Sequence, residues 1–486
     1  MANSFEAWGK KYGLLLAILV GLIVWFTPMP PEMTVTQHKL LTIFSGAVVL
    51  WITIGVNFAV STLITTTLLY FWVGNPTGQM KDGALVHNAG FALSAFSGAS
   101  LWLLVTGFII SIAMMKTGVA RRLALNIIRY LGRKPYGAIM ASSIANYIIA
   151  PLTPSNTART AAMLPIIQGI GEAYHAVPGR SNFGKALALS AAFASNITGS
   201  AFLTGTIANP AALSIVIAAV GTSQYTSWSY WALAAAPTNL IILFISGWVL
   251  LKLFPPEVKE IPGGITYIEE ELRAMGPMSA EEKRAILYFL IALCLWATDS
   301  LHNFNATMIA FFVSMLIYLP RIGVLDWRES QNQLPWELFM YFGGVLTLSS
   351  ALMQSKAIEF VIKKAMASLG LSAVSEGTLL LILMGFTIFS HVIWSTTTAM
   401  AGVMVPIYVG IAQAMGFDVA RFMLPLCIMI AYALFLPFNT MGNIIFLGTG
   451  YYSVTEQFKA ALIVGAIIWG MWILTAFTWW RVIGLF

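Results

Sequence analysis

The sequence predicts an all-α polytopic membrane protein, a helical bundle in lipid, and three observations predict it. Of 486 residues, 58% are apolar and only 9% are charged, against roughly 25% charge in soluble domains. No polar stretch exceeds about thirty-five residues, whereas a soluble chain of this length would divide into domains with polar surfaces. The uncharged runs are continuous and rich in Leu, Ile, Ala and Gly, which suits spanning helices and not the short alternating strands of a membrane barrel.

The net charge of +7 fits Lys and Arg gathered in cytoplasmic loops, so the partner it implies is the lipid bilayer and no nucleic acid. Cys294 and Cys427 lie in separate apolar runs and read as packing residues, with neither a disulfide framework nor a metal cage. Lys10 and Lys11 precede the apolar run 14–26 in the manner of a signal peptide. No small-residue cleavage site follows, and a retained first helix is expected.

In chain order, candidate spans lie near 14–27, 38–55, 57–73, 97–115, 185–218, 226–251, 286–301, 305–320, 338–355, 420–450 and 459–482, eleven in all. Two further apolar segments, 135–173 and 377–416, are too long for one crossing and lack a polar loop between two. Each is a pair of tight spans or a re-entrant hairpin, since about ten helical residues reach the bilayer midplane.

Loop charges set the orientation. Lys116, Arg121, Arg122, Arg129, Arg133 and Lys134 place 116–134 in the cytoplasm, so the first long segment opens inward. Counting crossings puts 356–376 outside, the N-terminus in the cytoplasm and the C-terminus outside. The polar stretch 252–285 becomes a cytoplasmic linker whose Glu269, Glu270 and Glu271 read as a solvated face.

An internal repeat divides the chain. Thr157-Ala158-Arg159-Thr160-Ala161-Ala162-Met163-Leu164-Pro165 matches Thr398-Ala399-Met400-Ala401-Gly402-Val403-Met404-Val405-Pro406 at four of nine positions, and both copies occupy the second arm of a long apolar segment. Crossing parity gives the two segments opposite orientation, the pattern of an inverted-repeat transporter.

Polar residues interrupt the apolar runs at four corresponding places: 151–157, 395–398, 195–210 and 437–443. Irregular backbone at membrane depth survives only where protein or a watery cavity satisfies it, so four breaks predict one shared cavity. Ser, Asn and Thr at helix starts leave N–H groups and the positive dipole end facing forward, which suits a carboxylate or phosphate. Arg159 is costly in lipid, and its own helix offers no carboxylate before Glu172, so a bound anion is its expected partner. His391 is the other ionisable group inside such a segment, while Asp299 and His302 read as interfacial. No P-loop, carboxylate chain or metal-ligand spacing occurs. The sixteen tryptophans read as interfacial anchors.

With these residues in view, the chain resembles the divalent anion/sodium symporter family, also called INDY-type dicarboxylate transporters. Pro154-Ser155-Asn156-Thr157-Ala158 is similar to its Ser-Asn-Thr tip motif, and Thr396-Thr397-Thr398-Ala399 stands where the second copy lies. The resemblance implies eleven transmembrane helices plus two re-entrant hairpins in two inverted repeats. The divisions are an N-terminal scaffold helix (1–37), a first repeat (38–251) with inward-opening hairpin 135–173, the linker 252–285, and a second repeat (286–486) with outward-opening hairpin 377–416. It also implies a homodimer and elevator-like movement of the hairpins.

Carried over, Ser155, Asn156, Thr157, Thr396, Thr397 and Thr398 would hold the substrate carboxylates, with Thr206, Asn439 and Thr440 closing the pocket. Ser155, Asn156 and Gly205 match one sodium site of the family in part. Thr397 replaces the asparagine of the second motif, which removes reach from the other site. If Arg159 and His391 supply fixed positive charge instead, no cofactor is required and return of the empty carrier is costly. The expectation is then a plasma-membrane exchanger of 2-oxoglutarate, malate and succinate, with a sodium-coupled dicarboxylate or citrate symporter as the alternative. A membrane-embedded enzyme would need reactive loops. Asp82 with His87, or Asp326, Glu329 and Glu337, have no catalytic spacing.

Overall fold

The computed structural model describes residues 2–78, 80–81, 84–132, 134–153, 155–257, 266–368 and 374–486. Arg133, Pro154 and Asp82 therefore lie outside the described residues, as does part of the linker. The chain runs through α1 (Ala2–Phe26), α2 (Val35–Thr53), α3 (Phe58–Leu68, continued by a π turn), α4 (Ala89–Ala92), α5 (Ala99–Lys116) and α6 (Val119–Leu131). Next come α7 (Pro135–Ile149), α8 (Asn156–Ala173), α9 (Asn182–Ala201), α10 (Ala208–Val220), α11 (Trp228–Leu253) and the linker helix α12 (Thr266–Ala274). The remainder comprises α13 (Ala280–Ala297), α14 (Asp299–His302), α15 (Ala306–Tyr318), α16 (Trp327–Ser330), α17 (Trp336–Gln354), α18 (Ala357–Ser368), α19 (Glu376–Phe389), α20 (Thr397–Met415), α21 (Val419–Met429), α22 (Met441–Leu447), α23 (Val454–Phe477) and α24 (Trp479–Val482). A two-residue antiparallel pair, Met80–Lys81 with Ala84–Leu85, is the strand content of the described residues.

Seven helices are long and apolar enough to cross a membrane, or eight if α5 and α6 count as one span bent by 61°. The count of eleven spans is thus not reproduced by helix length and apolarity. Helices α10, α15 and α21 are too short, and α13 opens with Glu281, Glu282, Lys283 and Arg284. Polar breaks shorten the runs that sequence reading joined: 185–218 divides into α9 and α10, and 420–450 into α21 and α22.

The basic segment 116–134, expected as a loop, is mostly the amphipathic helix α6. Gly118 at φ +76° ends α5 and redirects the chain, a left-handed conformation that suits glycine. Val119, Ala120, Ala124, Leu125 and Ile128 are buried while Arg121 and Arg129 stay exposed, the helical spacing of an amphipathic element. The acidic linker meets this basic face. Arg121 pairs with Glu271, Arg129 with Glu269 at 3.8 Å, and Arg122 with Glu282 at 2.7 Å. Two of the three glutamates expected on a solvated face are therefore partnered.

The helices pack as two groups. In an outer group α1 lies on α2, α3 on α17, and α5 and α13 on α15. In a hairpin group α7, α8 and α11 pack on α9, α22 on α8, and α20 on α21 and α10. They meet where α5 and α17 contact α10 and where α17 and α18 contact α20. The exposed flanks of α1 carry Leu15, Ile18, Leu19, Ile23 and Phe26, an apolar surface suited to lipid or another apolar partner. Helix α8 exposes Thr157, Ala161, Pro165, Gln168 and Glu172, a small and polar stripe suited to water.

Candidate functional site

Four helix starts build the site, each following an interruption. Pro151 cannot donate an N–H, and after a short 3-10 turn the chain restarts as α8 with Ser155 as N-cap, its hydroxyl accepting from Ala158 N at 3.2 Å. In the second hairpin Thr396 caps α20 and accepts from Ala399 N at 3.0 Å. The broken helices restart after the 3-10 turns 203–205 and 437–439. There Thr206 and Thr440 both adopt extended backbone, at φ −151° and −145°. Such helix starts leave forward-facing amides, those of Asn156 and Thr157 in α8 and of Thr397 and Thr398 in α20, which no carbonyl of the same helix can reach.

Arg159 is completely buried, and its guanidinium is fully engaged. Nε donates to Asn146 Oδ1 at 3.1 Å, Nη1 to the carbonyls of Thr153 at 2.6 Å and Gly205, and Nη2 to Asn156 Oδ1 and to the Ser195 carbonyl at 2.9 Å. All five acceptors are neutral oxygens of the protein. Where a bound anion was expected beside Arg159, the guanidinium is held by oxygens of α7, the first tip, α9 and the turn 203–205. The oxygens of the partial sodium match are engaged in the same bonds: Asn156 Oδ1 and the Gly205 carbonyl accept from Arg159, and Ser155 Oγ caps α8.

His391 is also fully buried. Its Nδ1 faces the Thr387 and Ile388 carbonyls at 3.1 and 3.0 Å, and its Nε2 faces the Ile430 carbonyl at 3.0 Å. Both ring nitrogens therefore face acceptors, which a neutral imidazole with one N–H satisfies only in part and an imidazolium satisfies in full.

The remaining predicted residues divide in two. Asn439 is committed: its Nδ2 donates to the His391 and Trp394 carbonyls, both at 2.8 Å, and its Oδ1 accepts from Leu436 N at 2.7 Å. Thr440 Oγ1 accepts from Asn443 N at 3.4 Å. Thr206, Thr397 and Thr398 are buried and Thr157 is exposed, and none of their hydroxyls has a protein partner among the described residues or is sealed from solvent. These four hydroxyls and the adjoining amides are what the site has left to offer a ligand.

Sequence reading missed the struts behind them. Asn196 Oδ1 accepts from Asn156, and its Nδ2 donates to Asn443 Oδ1 at 3.0 Å, which joins the two broken helices across the group. Asn443 Nδ2 donates to the carbonyls of Ala433 and Leu436, ten and seven residues back, and Asn209 Nδ2 donates to those of Gly199 and Phe202, also ten and seven back. Close packing completes the wall, since a Cβ on Gly442 would stand 2.7 Å from Thr160 Oγ1. Asn146 was legible only as a lone amide in an apolar arm. Each tip is tied to its own broken helix, through Thr204 Oγ1 donating to the Pro151 carbonyl at 3.0 Å and through Asn439.

Comparison with known proteins places these features. Residues 9–486 match a family model described as the sodium:sulfate symporter transmembrane region. A putative malate transporter of Bacillus subtilis is 27% identical, covering 98% of this chain and 97% of its own. The L-tartrate/succinate antiporter of Escherichia coli K12 is 26% identical, covering 99% of this chain and 100% of its own. The crystal structure of the Alcanivorax borkumensis YdaH transporter has the same general fold, with a TM-score of 0.56 at 12% identity, covering 99% of this chain and 98% of the other.

Proposed function

The chain belongs to the sodium:sulfate symporter family, the divalent anion/sodium symporters, and from that premise we propose that it exchanges C4 and C5 dicarboxylates, among them 2-oxoglutarate, malate and succinate. The family and its relatives are membrane transporters and not enzymes, and the protein is an integral multi-pass membrane protein.

The observation that carries exchange over symport is the place of the Arg159 guanidinium. Five oxygens from the tip and the broken helix converge on it. Unwound carbonyls of this kind hold sodium in discontinuous-helix transporters. A tethered cation in that position compensates a dianion without leaving with it. The carrier without substrate keeps this charge unbalanced, so it crosses readily only when loaded. Arg159 acts here through the electrostatic field and through the shape of the tip, while Thr157, Thr206, Thr397, Thr398 and the α8 and α20 amides contact the carboxylates. Ser155, Asn156, Thr396, Asn439 and Thr440 hold those groups in place.

Two inverted repeats are supported by the ten-and-seven spacing at Asn209 and Asn443, and an elevator movement by the division into outer and hairpin groups. The polar stripe on α8 fits a path open to the linker side, which the charge of 116–134 assigns to the cytoplasm of a bacterial-type inner membrane, with the N-terminus inside and the C-terminus outside. A homodimer would use an apolar face of the outer group.

Proteoliposomes test the proposal. Labelled malate should enter vesicles loaded with 2-oxoglutarate, malate or succinate, with or without sodium, and should not enter empty ones. Uptake that follows a sodium gradient and ignores internal substrate would overturn exchange.

A further inference from the structure

We infer that Asp299 and Trp228 form a latch through which the outer group positions the tip of the first hairpin. Asp299 opens the single turn α14, directly after α13 of the outer group. Its Oδ2 accepts from the backbone N–H groups of Trp228 and Ser229 at 3.0 and 3.3 Å, and its Oδ1 accepts from the Ser229 hydroxyl. Those amides begin α11, a 26-residue helix of the hairpin group. A carboxylate thus caps the positive end of a long helix, which is favourable and charge-assisted. Asp299, expected near the membrane interface, is 8% exposed and bridges the two groups.

The contact continues to the tip. The Trp228 indole stacks on Trp296 of α13, with centroids 5.8 Å apart, and on Phe202 of the broken helix at 6.0 Å, both at 20°. Its Nε1–H donates to Thr204 Oγ1 at 3.2 Å, and that hydroxyl donates onward to the Pro151 carbonyl at 3.0 Å. The turn that carries Thr204 also presents the Gly205 carbonyl to Arg159 and leads into Thr206. An unbroken series of contacts therefore runs from Asp299 to the first tip.

A cavity of about 630 Å³ lies beside the latch, with Asp299, Asn303 and Asn305 on one wall and Ser227 and Ser229 on the other. It gives the two walls room to separate and gives water access to a released carboxylate. The latch rests on the proposed movement of the hairpin group: in the conformation described it is closed, and any large displacement of α11 from α13 must open it. Trp228 is then a positioning residue, held from one group and acting on the other.

Spin labels at Thr222→Cys and Leu301→Cys, on a Cys294→Ser/Cys427→Ala background in nanodiscs, would read the latch without substrate. One short distance should dominate in the otherwise unaltered protein. Asp299→Asn keeps the size and removes the charge, and should raise the longer-distance fraction about tenfold relative to the short one; an unchanged distribution would overturn the latch. Trp228→Phe keeps the stack and removes the bond to Thr204. It should leave the label distance alone and speed hydrogen exchange of residues 150–158 severalfold, and unaltered exchange there would overturn the positioning role. Neither reading depends on which solute is carried, whereas failure of the exchange proposal would appear as absent malate uptake by the unmutated protein.

Discussion

Arg159 Nη1 donates to the Thr153 carbonyl at 2.6 Å, and in the second hairpin the carbonyl of Trp394 is instead held by Asn439 Nδ2 at 2.8 Å. The first tip is closed by a charge and the second by an amide, with His391 alongside. Removing the charge exposes what it replaced. In Arg159→Ala five oxygens lose their charged donor; Asn146 Oδ1 and the Ser195 carbonyl keep the Thr198 hydroxyl, and each oxygen left without a partner costs about 1–3 kcal/mol. We expect malate affinity to fall at least tenfold in choline chloride and to recover in part in sodium chloride. Binding measured by calorimetry that matches the wild type and ignores sodium would remove Arg159 from the charge balance.

Gly199 tests the tip by crowding. A Cβ there would lie 3.0 Å from Asn156 Oδ1 and 3.4 Å from Arg159 Nη2, so Gly199→Ala must displace the side chains that fix the start of α8. Malate affinity should drop about tenfold, the effect of roughly 1.4 kcal/mol, while the melting temperature changes little. Gly470→Ala, where a Cβ meets nothing within 4 Å, serves as the control and should bind normally.

Much of this arrangement was legible in the sequence for one physical reason: lipid makes polar residues conspicuous. Ser155, Thr396, Thr206 and Thr440 each mark an interruption, and each sits at or beside a helix start. What escaped was direction. Arg159 reads as an anion ligand because its helix offers no acid before Glu172, yet three of its five partners are backbone carbonyls, up to 46 residues away, and carbonyls have no sequence signature. Asn146 was similarly mute, since a lone amide in an apolar helix does not reveal which neighbour it will meet, and Asn196, though inside the interruption 195–210, gave no sign that it would reach Asn443. Amphipathic α6 was mistaken for a loop because its arginines were counted for orientation and its apolar spacing was not.

Asn443 and Asn209 should differ in stability cost despite their equal spacing. Asn443 holds two carbonyls and also accepts from Asn196, whereas Asn209 holds two carbonyls and its Oδ1 has no partner among the described residues. Asn443→Ala also takes from buried Asn196 Nδ2 one of its two acceptors, leaving it the Ala192 carbonyl alone. It should therefore lose about 1–3 kcal/mol more than Asn209→Ala, visible as the lower of two melting temperatures in detergent. Equal melting temperatures would mean that the Asn196 bond contributes nothing.

Acid should loosen the linker through Glu282. Burial alone would raise its carboxyl pKa, but hydrogen bonds from Arg122 and from the Ser279 amide, with the Arg122 charge, hold it below the usual carboxylate range. Arg122 also donates to the carbonyls of Gly276 and Met275 at 2.9 and 3.2 Å, so this pair clasps α6 to the start of α13. The folded state thus binds the proton more weakly than the unfolded state. The stabilisation is complete above the ordinary glutamate value of about 4.3 and is lost as pH falls through the lower folded value. Both side chains are mostly buried, at 13% and 5% exposure, so Glu282→Gln should cost on the order of 2 kcal/mol at pH 7. That difference should shrink below pH 4, where the wild type itself becomes protonated. Melting curves that keep the same separation from pH 7 down to pH 3 would show that Glu282 does not act through its charge.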